Sequence, residues 1–420
     1  MKKFNKGLVA CSVAAVLAAP MTAMATNGYF SHGYGTKAKG MAGAGIAYGQ
    51  DGLAAATNPA NVVLTGNRVD FGVDIFMPDR KTDIVGNGSL GTVSYDPNDD
   101  DMFLIPEFGY HSMINDKMAW GIAVFGNGGM NTSYKKPIGL MGSTNAGVNL
   151  EQLFITPSFS MKMDDKNAFG VALNLIYQTF EATGLENFDN ATYSSSPGSV
   201  TNNGKDTSTG FSLRLGWTGE ISDSISMGVT YQSKADMSKF DKYKGLYAES
   251  GGFDIPATYG LGLKFKATPK MNVAFDVTKI EYSDVKSIAN PLSGLTVSGN
   301  KLGADNSAGF GWEDMTVIKL GADYQLNSDL VLRAGWSRGS APIPEGETFF
   351  NLLAPATIED HITLGATWTL QNKSELSVMY MRALENTIKG NNSIPASFGG
   401  GNADITMSQN SLGVAYGWKF

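Results

Sequence analysis

Cysteine is almost missing from this chain: Cys11 is the only one in 420 residues. A single thiol allows no internal disulfide and no thiolate metal cluster. Charge is sparse as well. Asp, Glu, Lys and Arg make up 17% of the residues, against ~25% in an ordinary soluble domain. Proline numbers 15. The longest apolar run, Gly7–Pro20, is too short for the ~20 residues of a membrane-crossing helix. The three histidines, His32, His111 and His361, have no metal-ligand spacing. These shortages exclude a helical multispan protein, a disulfide scaffold and a disordered acidic chain. In excess is glycine, 51 of 420, about 12% against a usual ~7%.

The first 25 residues read as a secretory signal peptide. Lys2, Lys3 and Lys6 precede the apolar run, and Ala23-Met24-Ala25 is a small-x-small cleavage site. Leu8-Val9-Ala10-Cys11 has the form of a lipoprotein box, but too little apolar chain precedes it. Removing the signal takes away three lysines and no acid, so the formal charge of −7 becomes more negative. An acidic secreted chain without thiols suits a bacterial envelope and does not suit nucleic acid.

After residue 66 the pattern has period two. At the end of the chain Leu412, Val414, Tyr416, Trp418 and Phe420 alternate with Ser411, Gly413, Ala415, Gly417 and Lys419. A soluble sandwich hides its large side chains and shows charge outside. Here the second face is mostly Gly, Ser, Thr and Ala, as in a barrel wall that faces a crowded lumen. Six short polar turns, such as Asn115-Asp116-Lys117 and Asp164-Asp165-Lys166, alternate with seven long connections, such as 82–100 and 286–313. Thirteen connections join fourteen strands, from Asn67–Lys81 to Ile405–Phe420, with Ile225–Met237 and Met271–Val285 among them. Both ends fall on the short-turn side. The predicted fold is an all-β membrane protein, a fourteen-stranded antiparallel transmembrane barrel, over 67–420.

Residues 26–66 do not alternate. They are rich in glycine and too few for a core of their own. A plug inside the barrel, built of short helices and turns, buries Phe30, Met41, Ile46 and Leu53.

Specific blocks now resemble a known family. Asn27-Gly28-Tyr29-Phe30, Gly40-Met41-Ala42-Gly43-Ala44-Gly45, Asp51 and Asn58-Pro59-Ala60 resemble the N-terminal hatch of the FadL/TodX outer-membrane transporters. Gly126-Asn127-Gly128-Gly129-Met130-Asn131 is similar to that family's third strand, and the stretch from Phe240 to Gly260 is also family-like. Terminal Phe420, with Trp418 and Tyr416, matches the assembly signal of outer-membrane barrels. The resemblance implies passive uptake of hydrophobic molecules, long-chain fatty acids in one branch and aromatic hydrocarbons in another. It implies capture near the outer loops, a hatch movement, and lateral exit where the third strand kinks. It also implies a monomer in the outer membrane, both termini periplasmic, in contact with outer-membrane lipids and delivered by barrel-assembly machinery. No cofactor, metal or catalytic residue is expected.

Physical reading supplies candidates beside the resemblance. Gly126, Gly128 and Gly129 weaken strand pairing and accept a bulge around Asn127, or mark a glycine-rich corner before a loop. Asn58-Pro59 reads as a turn. Opposite the large apolar set, charge points inward at Asp70, Asp74, Glu107, Arg214, Lys264, Asp276, Lys319, Asp323, Arg333 and His361. Most of these brace the barrel as pairs; Lys319 and Arg333 are the predicted partners of a ligand carboxylate. Inward apolar positions Phe76, Phe103, Ile105, Phe125, Phe154, Ile176, Phe180, Ile280, Met379 and Met381 form the predicted hydrophobic ligand path, the alternative being a slipped register that turns them to lipid. Gly335-Trp336-Ser337-Arg338-Gly339 fits G-x-S-x-G, but it lies at a strand end rather than in the strand–turn–helix elbow that a nucleophile requires. The alternative functions are a general diffusion porin and, further off, an outer-membrane lipid hydrolase.

Overall fold

A computed structural model describes residues 27–420; the expected signal peptide lies outside the described residues. Fourteen strands form one antiparallel wall. They are β1 Arg68–Asn87, β2 Phe103–Asn115, β3 Met118–Ser133, β4 Gly147–Lys162, β5 Asn167–Thr183, β6 Asp206–Ser222 and β7 Ile225–Gln232. They continue as β8 Thr258–Thr268, β9 Met271–Ile280, β10 Met315–Gln325, β11 Leu330–Gly339, β12 Asp360–Thr369, β13 Ser374–Ile388 and β14 Asn402–Lys419. Each pairs with its chain neighbours, and β14 closes on β1 from Arg68↔Lys419 to Val85↔Asn402. Closure removes the two long edges that an open wall would expose.

The period-two pattern places side chains as expected. Phe169, Val171, Leu213, Leu215, Leu320, Trp336, Leu364 and Leu412 are exposed on the outer face. A belt of that size is wrong for water and right for lipid. Several short turns are held by an Asn or Asp side chain that accepts a backbone N–H two residues on, at Asn115, Asp164, Asn327 and Asn372.

Three strands differ from expectation by five residues or more at one end. β1 runs past Lys81 to Asn87, because part of the first long connection folds back as a strand, Gly91–Tyr95, paired to it. The strand expected to reach Met237 stops at Gln232; Asp236–Met237 then pairs again with β6 after a detour. The strand expected to reach Val285 stops at Ile280, where the chain turns into a 3-10 turn at Tyr282–Asp284.

Residues 27–66 lie within the wall. They carry short helices α1 Thr36–Lys39, α2 Ala54–Thr57 and α3 Val62–Thr65, with a 3-10 turn at Pro59–Asn61 between the last two. Asn58 is extended (φ −149°, ψ 110°), as the residue before proline should be. Its Oδ1 accepts from Ala60 N, and its Nδ2 donates to Ile46 O, Trp217 O and Thr218 Oγ1. One amide therefore joins the turn to the segment and to β6. A Cβ on Gly216 would overlap this amide, so glycine is required at that point of the wall.

Ionic ties complete the docking. Lys39 Nζ bonds both Asp74 and Glu107, and Lys37 Nζ lies 2.5 Å from Glu375. Glu375 also meets Arg68, which grips Asp70 at 2.6 Å. Burial alone would lower the Lys39 pKa, but the two carboxylates hold it above its ordinary value. Lys37 is pushed down, first by burial and then by Arg68. These charges are dry but paired, the only condition under which burial is tolerable.

Candidate functional site

The wall is incomplete in one place. β2 and β3 pair from Asn115↔Met118 only as far as Phe108↔Val124. Beyond that point the only strand of the wall that β3 pairs with, among the described residues, is β4, up to Ser133↔Gly147, and a short bridge ties its far end, Ser133, to Asn98. The departure coincides with a register shift between Gly126 and Gly128, which leaves Asn127 as the extra residue of a bulge. Residues Phe103–Glu107 of β2 thus face a gap.

The N-terminal segment occupies it. Phe30 bridges to Gly128. Gly129 N donates to Tyr29 O at 2.8 Å, and Ser31 N donates to Asn127 O at 2.8 Å. Tyr34 Oη bonds Asn127 Oδ1 at 2.7 Å, and Asn127 Nδ2 donates to Gln152 Oε1. The polar groups freed by the bulge are therefore satisfied by residues 29–34 and by β4. A Cβ on Gly128 would overlap the Tyr29 carbonyl, so this approach requires glycine.

An aromatic run leads from the gap toward the loops. Tyr29 lies 6.1 Å from Phe253, Phe253 lies 4.8 Å from Tyr247, and Tyr247 lies 4.8 Å from Phe180. Tyr282 and Trp312 flank Tyr29 at 5.3 and 6.1 Å. Phe180 and Tyr247 line an apolar cavity of about 40 Å³ among the loops, with Phe188, Leu246, Phe310 and Phe350. A second cavity, of about 60 Å³, lies between the N-terminal segment and β6–β10. Phe30, Ile46, Ile280 and Val317 give it apolar sides; Arg214, Lys319 and Asp276 give it charge. Lys319 Nζ donates to His32 O, and Arg214 Nη1 donates to Thr57 O. Neither cation is within salt-bridge distance of a carboxylate among the described residues. Asp276 instead accepts from Gly45 N and Ile46 N at 2.7 and 3.0 Å.

The predicted residues fall as follows. Asn27, Phe30, Met41, Ile46, Leu53, Asn58, Pro59 and Ala60 are all buried. All ten inward apolar positions are buried too, so none is turned to lipid. They do not form one path. Phe125, Phe154, Ile176, Phe180 and Ile280 join Tyr29 and Phe30 in one cluster. Phe76, Phe103, Ile105, Met379 and Met381 form another, against Ile358 and Met407. Of the two predicted carboxylate partners, Lys319 lines the charged cavity. Arg333 does not; it is held by Gln50 Oε1 and Thr367 Oγ1. Arg214 stands in its place. Tyr29 enters the sequence reading only through the hatch block; Tyr247 and Trp312 lie in long connections and Tyr282 at the end of the expected strand Met271–Val285, so none of these three carries a predicted role.

One further pair was invisible in the sequence. Ser337 Oγ lies 3.2 Å from His361 Nδ1, both fully buried. Ser337 sits on the flat inner face of β11, and His361 Nε2 has no partner and faces the His32 ring at 6.0 Å. A nucleophile needs its base oriented by a third group, and no described carboxylate bonds His361.

Comparison with known proteins gives the same architecture. The structure of the Pseudomonas putida toluene transporter TodX superposes with a TM-score of 0.68 at 19% identity, covering 93% of this chain and 99% of that one. A Pseudomonas aeruginosa FadL homologue gives 0.70 at 18% identity, covering 94% and 100%. The Ralstonia pickettii toluene transporter TbuX gives 0.65 at 16%, covering 93% and 99%. No curated protein sequence matches the chain. The outer membrane protein transport protein family (OMPP1/FadL/TodX), however, matches residues 16–420. The closed fourteen-stranded barrel, its lipid-facing belt and that match together establish that this chain belongs to the OMPP1/FadL/TodX family of outer-membrane transport proteins.

Proposed function

We propose that the protein carries hydrophobic small molecules, long-chain fatty acids above all, across the bacterial outer membrane without an energy source. The observation that carries this reading is the aromatic run that joins a loop cavity to a gap in the wall, closed at the bulge by Tyr29–Ser31 and, at its loop end, by residues 96–99. A ligand enters at the loop end, which faces outward, and both termini face the periplasm. Residues 26–66 act as the hatch. When Tyr29–Ser31 leaves Asn127–Gly129, the solute passes sideways into lipid. Exit into water would cost about 0.8 kcal/mol for each CH₂ exposed; the lateral route avoids this. The protein works as a monomer among outer-membrane lipids, after insertion by the assembly machinery.

Arg214 and Lys319 favour a carboxylic acid over a hydrocarbon. Two buried cations without a carboxylate in contact are costly, and a fatty-acid head group offsets that cost through charge-assisted hydrogen bonds. TodX and TbuX, the toluene transporters, represent the competing aromatic class. A general porin is disfavoured because the lumen is filled. The test is uptake of labelled oleate and toluene by cells whose own carriers are deleted. The paired change Arg214→Met and Lys319→Met should reduce oleate uptake about tenfold or more and leave toluene unchanged. Equal loss of both, or no oleate uptake by the unaltered protein, would overturn the fatty-acid reading.

A further inference from the structure

The lining of the loop cavity includes a residue whose buried polar atom has no partner. Tyr247 is buried, lines the cavity and packs at 4.8 Å on Phe180 and Phe253, yet its hydroxyl has no hydrogen-bond partner. The other hydroxyl on the lining, Ser287 Oγ, is satisfied by Gly252 O at 2.6 Å. No charged residue lines the cavity. A phenol costs nothing when it reaches water, and a phenylalanine would cost nothing here. A buried donor left unmade is unfavourable, so the site gains when an acceptor arrives. An uncharged acceptor is favoured at this point, because a carboxylate desolvated here has no counter-charge and meets its cations only further on, at Arg214 and Lys319.

We propose that Tyr247 is a specificity-determining residue that donates a hydrogen bond to a neutral oxygen on an otherwise apolar solute, such as an alcohol, ketone or ester, and so selects it over the matching hydrocarbon. This rests on the reading of the barrel as a carrier of hydrophobic compounds. It is independent of the carboxylate role of Arg214 and Lys319. At about 40 Å³ the cavity holds the oxygen-bearing end only; the loops part to admit the chain.

The experiment is a two-by-two cycle, with the full-length mature protein in lipid nanodiscs. Dissociation constants are measured for dodecan-1-ol and dodecane on the unaltered protein and on Tyr247→Phe, with empty nanodiscs subtracted. The ratio of ratios removes the different partitioning of the two ligands and isolates the hydroxyl contact. The expected coupling is about five- to tenfold in favour of the alcohol on tyrosine. Tyr243→Phe should leave the ratio unchanged, since the Tyr243 hydroxyl already bonds Gly204 O and Ala182 N. A coupling near one, with both ligands bound, overturns this role for Tyr247 and leaves the transport reading intact. Binding of neither ligand above empty nanodiscs overturns both. Heat-modifiable mobility on gels shows that each variant is a folded barrel.

Discussion

At the scale of single residues, Asp51 shows how the N-terminal segment meets its ionic surroundings. It is buried and accepts from Leu53 N at 3.0 Å. Burial, then the negative charge of Asp70, raises its pKa to about 6, while Arg68 and Lys37 oppose the rise and Glu107 adds to it. In water the group would titrate near 3.9. Between about 4 and 6 the docked segment therefore binds more protons than the undocked one, so docking weakens as pH rises through that window. Above it the full penalty remains, about 1–3 kcal/mol. Asp51→Asn removes the penalty. Channel openings in planar bilayers should be about tenfold rarer for Asp51→Asn than for the unaltered protein at pH 7.5, and equally frequent at pH 4. Equal frequencies at pH 7.5 would show that Asp51 carries no such strain.

At the scale of elements, β3 is where sequence and function meet most directly. Glycines at 126, 128 and 129 announce a strand that cannot pair normally, and the bulge at Asn127 follows from them. What fills the gap is not written in β3. It depends on a second element, residues 29–31, whose backbone takes the ladder positions that β2 abandons. Gly128→Ala tests the partnership. The added methyl overlaps the Tyr29 carbonyl, so the N-terminal segment must withdraw while β3–β4 pairing, which needs no side chain at 128, persists. The expected result is a folded barrel with several-fold higher uptake of hydrophobic solute. Unaltered uptake would mean that the gap is not the limiting passage.

For the whole molecule, closure is the decisive event, because an open barrel would expose two edge strands to lipid. The closing seam carries aromatic contacts: Trp418 lies 5.9 Å from Phe71, and Phe420 stacks on Tyr110 at 5.8 Å. Phe420 N also reaches Asn67 O at 3.4 Å. Removing Phe420 should lower the amount of protein in the outer membrane several-fold while leaving signal cleavage intact, as measured in fractionated membranes. A normal level of the truncated chain would assign closure to the remaining seam alone.

Period-two alternation determined the wall from the sequence alone. It gave the number of strands, the face of each side chain and the inward charges, because only two sides exist and a slip of one residue exchanges them. Glycine spacing also gave the bulge, since the requirement is local. Alternation says nothing about height in the lumen or about neighbours across it, which follow from strand tilt and stagger around the barrel. Only tertiary structure therefore separated Phe125 and Phe154 from Phe76 and Met381, put Arg214 rather than Arg333 on the cavity that Lys319 lines, and brought Ser337 to His361. The aromatic run needed still more. Tyr29 belongs to the N-terminal segment and Tyr247 to a long connection, neither of which has a period to read, and long-range packing inside the closed wall decided their meeting.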